Sequence, residues 1–148
     1  MKRILLPQDG SEIGQVAVRA AAIQAQTFGA EVVVFGCVNL NDITATQLHV
    51  SPMGFAALLE EHQNEQREFL GKVVAELEES GVKARVRIGI GGPVEGILEA
   101  AETEEVDLIV IATHGRSGLR RLMLGSVAEG VLRRTQCPVL VCPIAKDE

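Results

Sequence analysis

The chain has 148 residues, 47% hydrophobic and 23% charged, with a net charge of −6; that is one domain's length with an ordinary globular composition. No apolar run approaches the ~18 residues of a membrane span, and the opening apolar run is too short for a signal peptide. The acidic balance argues against bulk nucleic-acid binding, and three cysteines without zinc or C-x-x-C spacing point to reduced thiols in the cytoplasm.

Residues 3–7 form a short apolar run, as expected of a strand buried on both faces. Asp9, Gly10 and Ser11 break it. From Ile13, helical spacing places Val16, Ala17, Ala20, Ala21 and Ile23 on one stripe, and Gly29 stands where a helix commonly ends. Val32 to Val38 reads as a second buried strand. Residues 41–56 fit no period, and Asn41, Asp42, Pro52 and Gly54 mark a long loop. Leu58, Leu59, Phe69, Leu70, Val73, Val74 and Leu77 then define a long helix ending near Ser80-Gly81, with a weak, polar stripe around Gln63 to Arg67.

Residues 83–88 alternate polar and apolar, as an edge strand with one polar face does. Gly91-Gly92-Pro93 opens a third helix, with Pro93 suited to its first position. Val106 to Ala112 is a buried strand, Ser126 to Arg134 a helix, and Pro138 to Cys142 the last strand. Strands alternating with helices make one α/β domain over residues 1–148, with a mainly parallel five-stranded sheet and right-handed crossovers.

In such sheets ligands bind beyond the carboxyl ends of the strands, at a topological switch point. Three segments qualify: Gln8 to Ser11, Val38 to Leu40 and Ala112 to Ser126. The third is the most informative. Gly115 and Gly118 follow a buried strand, and Gly125-Ser126 opens a helix. Glycines allow close backbone approach, and a helix N-terminus favours an anion. Arg116, Arg120, Arg121, Arg133 and Arg134 stand against the single acid Glu129 between Ala112 and Thr135, a basic island in an acidic chain. A phosphate cradle is one reading. In the other, Ser126-Val127-Ala128-Glu129 is a capping box and the arginines form a solvated helix face.

Other phosphate motifs fail. There is no G-x-x-x-x-G-K-[ST], Gly89 to Val94 misses G-x-G-x-x-G at its sixth position, and Gly115 to Leu119 is no nucleophile elbow. Asp9 could accept a hydrogen bond from a ligand, or Asp9 or Ser11 could cap the first helix, with Glu12 adding charge at its start. His114 has no catalytic partner in the sequence, which leaves a positional or hydrogen-bonding role. The cysteines read as packing residues.

Taken in order, several segments resemble the universal stress protein family over the full length: Ile4-Leu5-Leu6-Pro7-Gln8-Asp9-Gly10-Ser11, Gly91-Gly92-Pro93, Asp107 to Gly115, and Cys137-Pro138-Val139-Leu140-Val141. The family's ATP-binding branch carries G-x2-G-x9-G-[ST]. Gly115, nine intervening residues and Gly125-Ser126 match its second half, and Ala112 replaces the first glycine. If that position needs φ > 0, a methyl group is costly; if it is an ordinary strand residue, Ala costs little.

The resemblance implies a Rossmann-like sheet of order 3-2-1-4-5 with helices on both faces. It implies adenine contacts at Asp9, Val38 and Ile111, and ribose and phosphate contacts at Gly115, Gly125, Ser126 and Val127. With their neighbours, the candidate binding residues are Pro7, Asp9, Val38, Ile111, Ala112, His114, Gly115, Arg116, Gly118, Gly125, Ser126 and Val127. The expected ligand is ATP with Mg2+. The expected assembly is a homodimer through the last strand (Val139, Leu140, Val141), acting as a stress-response regulator. A nucleotide-independent interaction module and a slow ATPase or autophosphorylating protein are the alternatives.

Overall fold

Strands β1 (Arg3–Pro7), β2 (Glu31–Val38) and β4 (Leu108–Ala112) carry apolar residues on both faces because both faces are covered. Ile4, Leu5 and Leu6 are all fully buried. The structure, a computed structural model, describes residues 1–10, 14–41, 43, 51–113 and 125–143. Its sheet has the order β3-β2-β1-β4-β5, every pair parallel, with β3 (Ala84–Ile90) and β5 (Val139–Cys142) at the edges. The helices that link these strands include α1 (Gly14–Phe28), α2 (Pro52–Glu79), α3 (Pro93–Thr103) and α4 (Ser126–Arg134).

The period of two along each strand divides the core into two layers. Ile4, Leu6, Val32, Val34 and Val110 pack against Ala17, Ala21 and Ala25 of α1 and Leu70, Val73 and Leu77 of α2. Leu5, Val33, Phe35, Ile109 and Ile111 pack against Ile97 and Ala100 of α3 and Ala128 and Val131 of α4. The sides change between β1 and β4, which makes that strand pair the topological switch point. Gly29, at φ +67°, turns the chain out of α1 in the left-handed conformation that side chains disfavour.

The edge strand β3 spends its polar face on ion pairs. Arg85 bonds both Glu31 of β2 and Glu104 after α3, Arg87 reaches Glu104 at 2.8 Å, and Lys83 lies 3.4 Å from Glu31. These pairs lie on the amino-terminal side of the sheet, since Glu31 opens β2.

Two expectations are corrected. The segment 41–56 is not loop throughout: α2 begins at Pro52, with Ser51 as N-cap accepting from the Gly54 N–H at 3.1 Å. Proline fits a first helical turn because its missing N–H has no intrahelical use there. The second correction concerns α4. Its N-cap is Gly125, with no side-chain cap, and Ser126 is already helical. Glu129 bonds Arg133 one turn ahead, at 2.8 Å, instead of reaching back. The capping box therefore does not form, because its serine sits one residue too late.

Candidate functional site

The carboxyl ends of β1, β2 and β4 open on a cleft of about 310 Å³, between the amino-terminal ends of α3 and α4 and the wall of α2. Pro7, Asp9, Ile111, Ala112 and Val127 of the sequence-derived set line it. Gly125 and Ser126 immediately precede Val127 at the start of α4. Val38 is buried, and its carbonyl accepts the Gly91 N–H at 2.9 Å, so it supports the cleft from β2 without lining it. His114, Gly115, Arg116 and Gly118 lie outside the described residues, as does Ser11, one of the two residues suggested to cap α1.

Ala112 answers the question its sequence position raised. It is the last residue of β4, in register with Cys142, and Glu105 is the one non-glycine residue with positive φ among those described. The methyl group therefore sits on ordinary strand backbone and demands no left-handed conformation.

The start of α4 has the character of an anion site. Its first N–H groups have no intrahelical partner, and its N-cap residue, Gly125, has no side chain to cap them. The basic island contributes less than its composition implies. Arg133 is bonded to Glu129, and Arg134 bonds Glu95 of α3 at 2.8 Å. Both arginines stand at the far end of α4, where they favour the helix dipole. The Arg134 hydrogen bond also holds the Glu95 carboxyl below its usual range. Arg116, Arg120 and Arg121 lie outside the described residues.

Gln8 and Asn39 also line the cleft, within two of the segments the strand ends pointed to, whereas Gly14, Phe35, Cys37, Gln66, Pro93, Ile97 and Ala128 were not named as site residues from sequence. Phe35 and Cys37 alternate along β2 onto one face, a signal that was present in the period of two. The Phe35 ring lies between Gly89 and Gly96, 2.9 Å and 3.1 Å from where their Cβ atoms would stand. Cys37 donates to the Gly91 carbonyl at 3.1 Å, and burial pushes its thiol up, so it is no thiolate at neutral pH. Gln8 is buried and donates to the carbonyls of Pro7 at 3.1 Å and Gly14 at 3.4 Å. Its carboxamide occupies the space a Cβ on Gly14 would take, so a side chain there would force Gln8 to move. That tie could not be read from spacing, since it depends on how α1 docks.

A family model described as the universal stress protein family matches residues 1–143. Universal stress protein MJ0531 of Methanocaldococcus jannaschii is 39% identical over 99% of this chain and 85% of its own length. A universal stress protein of Thermus aquaticus is 34% identical over 95% of this chain and 97% of its own. Among solved structures, MJ0577, studied for structure-based assignment of its biochemical function, superposes with a TM-score of 0.84 at 29% identity. That match covers 99% of this chain and 98% of the other. A universal stress protein from Archaeoglobus fulgidus in complex with dAMP shares the fold, with a TM-score of 0.68, 20% identity and coverage of 96% and 97%.

Proposed function

The chain belongs to the universal stress protein family, and from that premise we propose that it is an adenine-nucleotide-binding regulator. Its ligand is ATP, held across the carboxyl edge of the sheet. The observation that carries this reading is the cleft at the switch between β1 and β4, ending at the start of α4, whose N-cap is Gly125. A cleft of about 310 Å³ is at the lower end of small-molecule sites. It suits a nucleoside, whose phosphates would extend over the N–H groups of Ser126 and Val127. Gly115, with nine residues between it and Gly125, supplies the matching half of the phosphate motif. A fold neighbour solved with dAMP is in keeping with this ligand class, as is a universal stress protein solved in complex with cAMP.

Mg2+ would arrive on the phosphates. Among the described residues no cluster of three or more His, Cys, Asp or Glu side chains could cage a metal, and Mg2+ is commonly held through substrate phosphates and water. Asp9, exposed at the cleft, is the carboxylate nearest this role. No general base stands among the described cleft residues beyond Asp9, so the reading is of a binding protein in which ATP acts as a switch ligand. Two copies would pair through β5, whose outer edge carries no strand among the described residues.

Thermal unfolding followed by circular dichroism tests the ligand, since the chain has neither Trp nor Tyr for fluorescence. Mg-ATP at ~100 times Kd stabilises by ~2.7 kcal/mol, which raises the midpoint by about 5–10 °C for a domain of this size. GTP gives no such shift. An unchanged midpoint with ATP, with no heat of binding, overturns the reading in favour of a nucleotide-independent module.

A further inference from the structure

We propose that Gln66 reads the base of the bound nucleotide, its carboxamide oxygen accepting a hydrogen from the exocyclic amino group of adenine; this rests on the nucleotide reading above. Helix α2 has 28 residues and is ~42 Å long, whereas the 8 residues of β2 span ~27 Å. The amino-terminal part of α2 therefore overhangs the carboxyl edge, where the cleft opens. The buried stripe of α2 is Leu70, Val73 and Leu77. Gln66 continues it by one turn toward that edge, at the spacing where another leucine would extend the core. A polar residue stands there instead, and it lines the cleft.

The carboxamide is poorly provided for. Its Oε1 is buried and has no hydrogen-bond partner among the described residues. It rests over Gly36 of β2, 2.7 Å from where a Cβ would be, beside the methyl groups of Leu70. A buried acceptor without a donor calls for a reason. Swinging the side chain off Gly36 into the cleft uncovers Oε1 and lets a ligand supply the missing hydrogen.

The chemistry selects the part of the ligand. An acceptor cannot bond phosphate oxygens, which are acceptors themselves. The phosphate end lies at α4, beyond β4, while Gln66 stands over β2. Two strand spacings separate β2 from β4, ~10 Å, about the length of a nucleoside. The base thus falls under Gln66, and an acceptor there pairs with the amino group of adenine, whereas guanine and hypoxanthine present a carbonyl at the same ring position.

Calorimetric titration of the wild-type protein and Gln66→Leu, each with Mg-ATP and with purine riboside triphosphate, which lacks the amino group, tests this. Gln66→Leu is expected to weaken ATP by about three- to tenfold, the worth of one neutral hydrogen bond, and to leave the affinity for the analogue unchanged. It is also expected to raise the melting midpoint of the ligand-free protein, because the orphaned acceptor is gone. If the leucine variant fails to fold, Gln66→Met, equal in length and without the amide, gives the same comparison. Unchanged ATP affinity overturns the assignment of Gln66 alone, and so does an equal loss for both nucleotides, which would be an effect of shape. A wild-type protein that binds neither nucleotide overturns the nucleotide reading and this assignment with it.

Discussion

Ala112 replaces a motif glycine, yet its backbone is that of a strand residue paired with Cys142. Its methyl group packs at the margin of the layer beneath α1. Ala112→Gly is therefore expected to leave ATP affinity within about twofold while lowering stability by about 0.5–1 kcal/mol, since glycine in a strand loses more chain entropy on folding. Calorimetric titration and urea unfolding of the variant check both halves. An ATP affinity that appears only in the glycine variant would show that the alanine blocks binding. The serine of the helix start teaches a related lesson. The spacing of Ser126 and Glu129 satisfied the capping-box pattern, but that pattern is silent on which residue is the last non-helical one. Backbone angles made Gly125 the cap, and the hydroxyl of Ser126 was thereby left out of the capping of its own helix.

Among the elements, β3 was legible because an edge strand faces water on one side, and its alternating Arg85, Val86, Arg87 and Ile88 record that asymmetry. The partners of its arginines were not legible, since Glu31 and Glu104 come from β2 and from the turn after α3. Hydrogen bonding from Arg85, aided by Arg87, holds the Glu104 carboxyl at about 2 against an ordinary 4.5. A depressed folded-state value means stabilisation that is complete above pH 4.5 and is lost as pH falls toward 2. Glu104→Gln should accordingly unfold at lower urea than the wild-type protein at pH 7, with the gap closing progressively below pH 4.5. A gap that does not vary with pH would show that the ion pair does not contribute through its charge. The start of α2 was misplaced for a different reason. Pro52 and Gly54 are loop formers on average, but a proline after a capping serine is also a helix start, and composition does not separate the two.

At the scale of the molecule, β5 stands at one edge of the sheet. Its pairing with β4, in which Ile109 donates to the Pro138 carbonyl and Thr113 to that of Cys142, turns the backbone of even-numbered residues inward. By the same alternation Val139 and Val141 turn their N–H groups to the outer edge, which carries no strand among the described residues, where a second copy could pair with them. Val141→Pro removes one outward N–H and no bond to β4, and proline is tolerated on edge strands of this kind. If dimerisation runs through β5, the variant sediments as a folded monomer where the wild-type protein sediments as a dimer. A variant that remains dimeric places the interface elsewhere.

The sequence by itself determined the α/β class, the strand order through its family resemblance, and the end of the sheet where the cleft opens. Those properties are written in local patterns, such as apolar runs for strands covered on both sides, helical stripes between them, and glycines and prolines at their ends. Only the tertiary structure decided that Ala112 is plain strand, that Arg133 and Arg134 are already paired, and that Gln66 borders the cleft. Each of these depends on which residues from distant parts of the chain meet. A glutamine on a helix reads as solvated surface until the helix is seen to run past its sheet, and then the same side chain stands at the wall of a cleft.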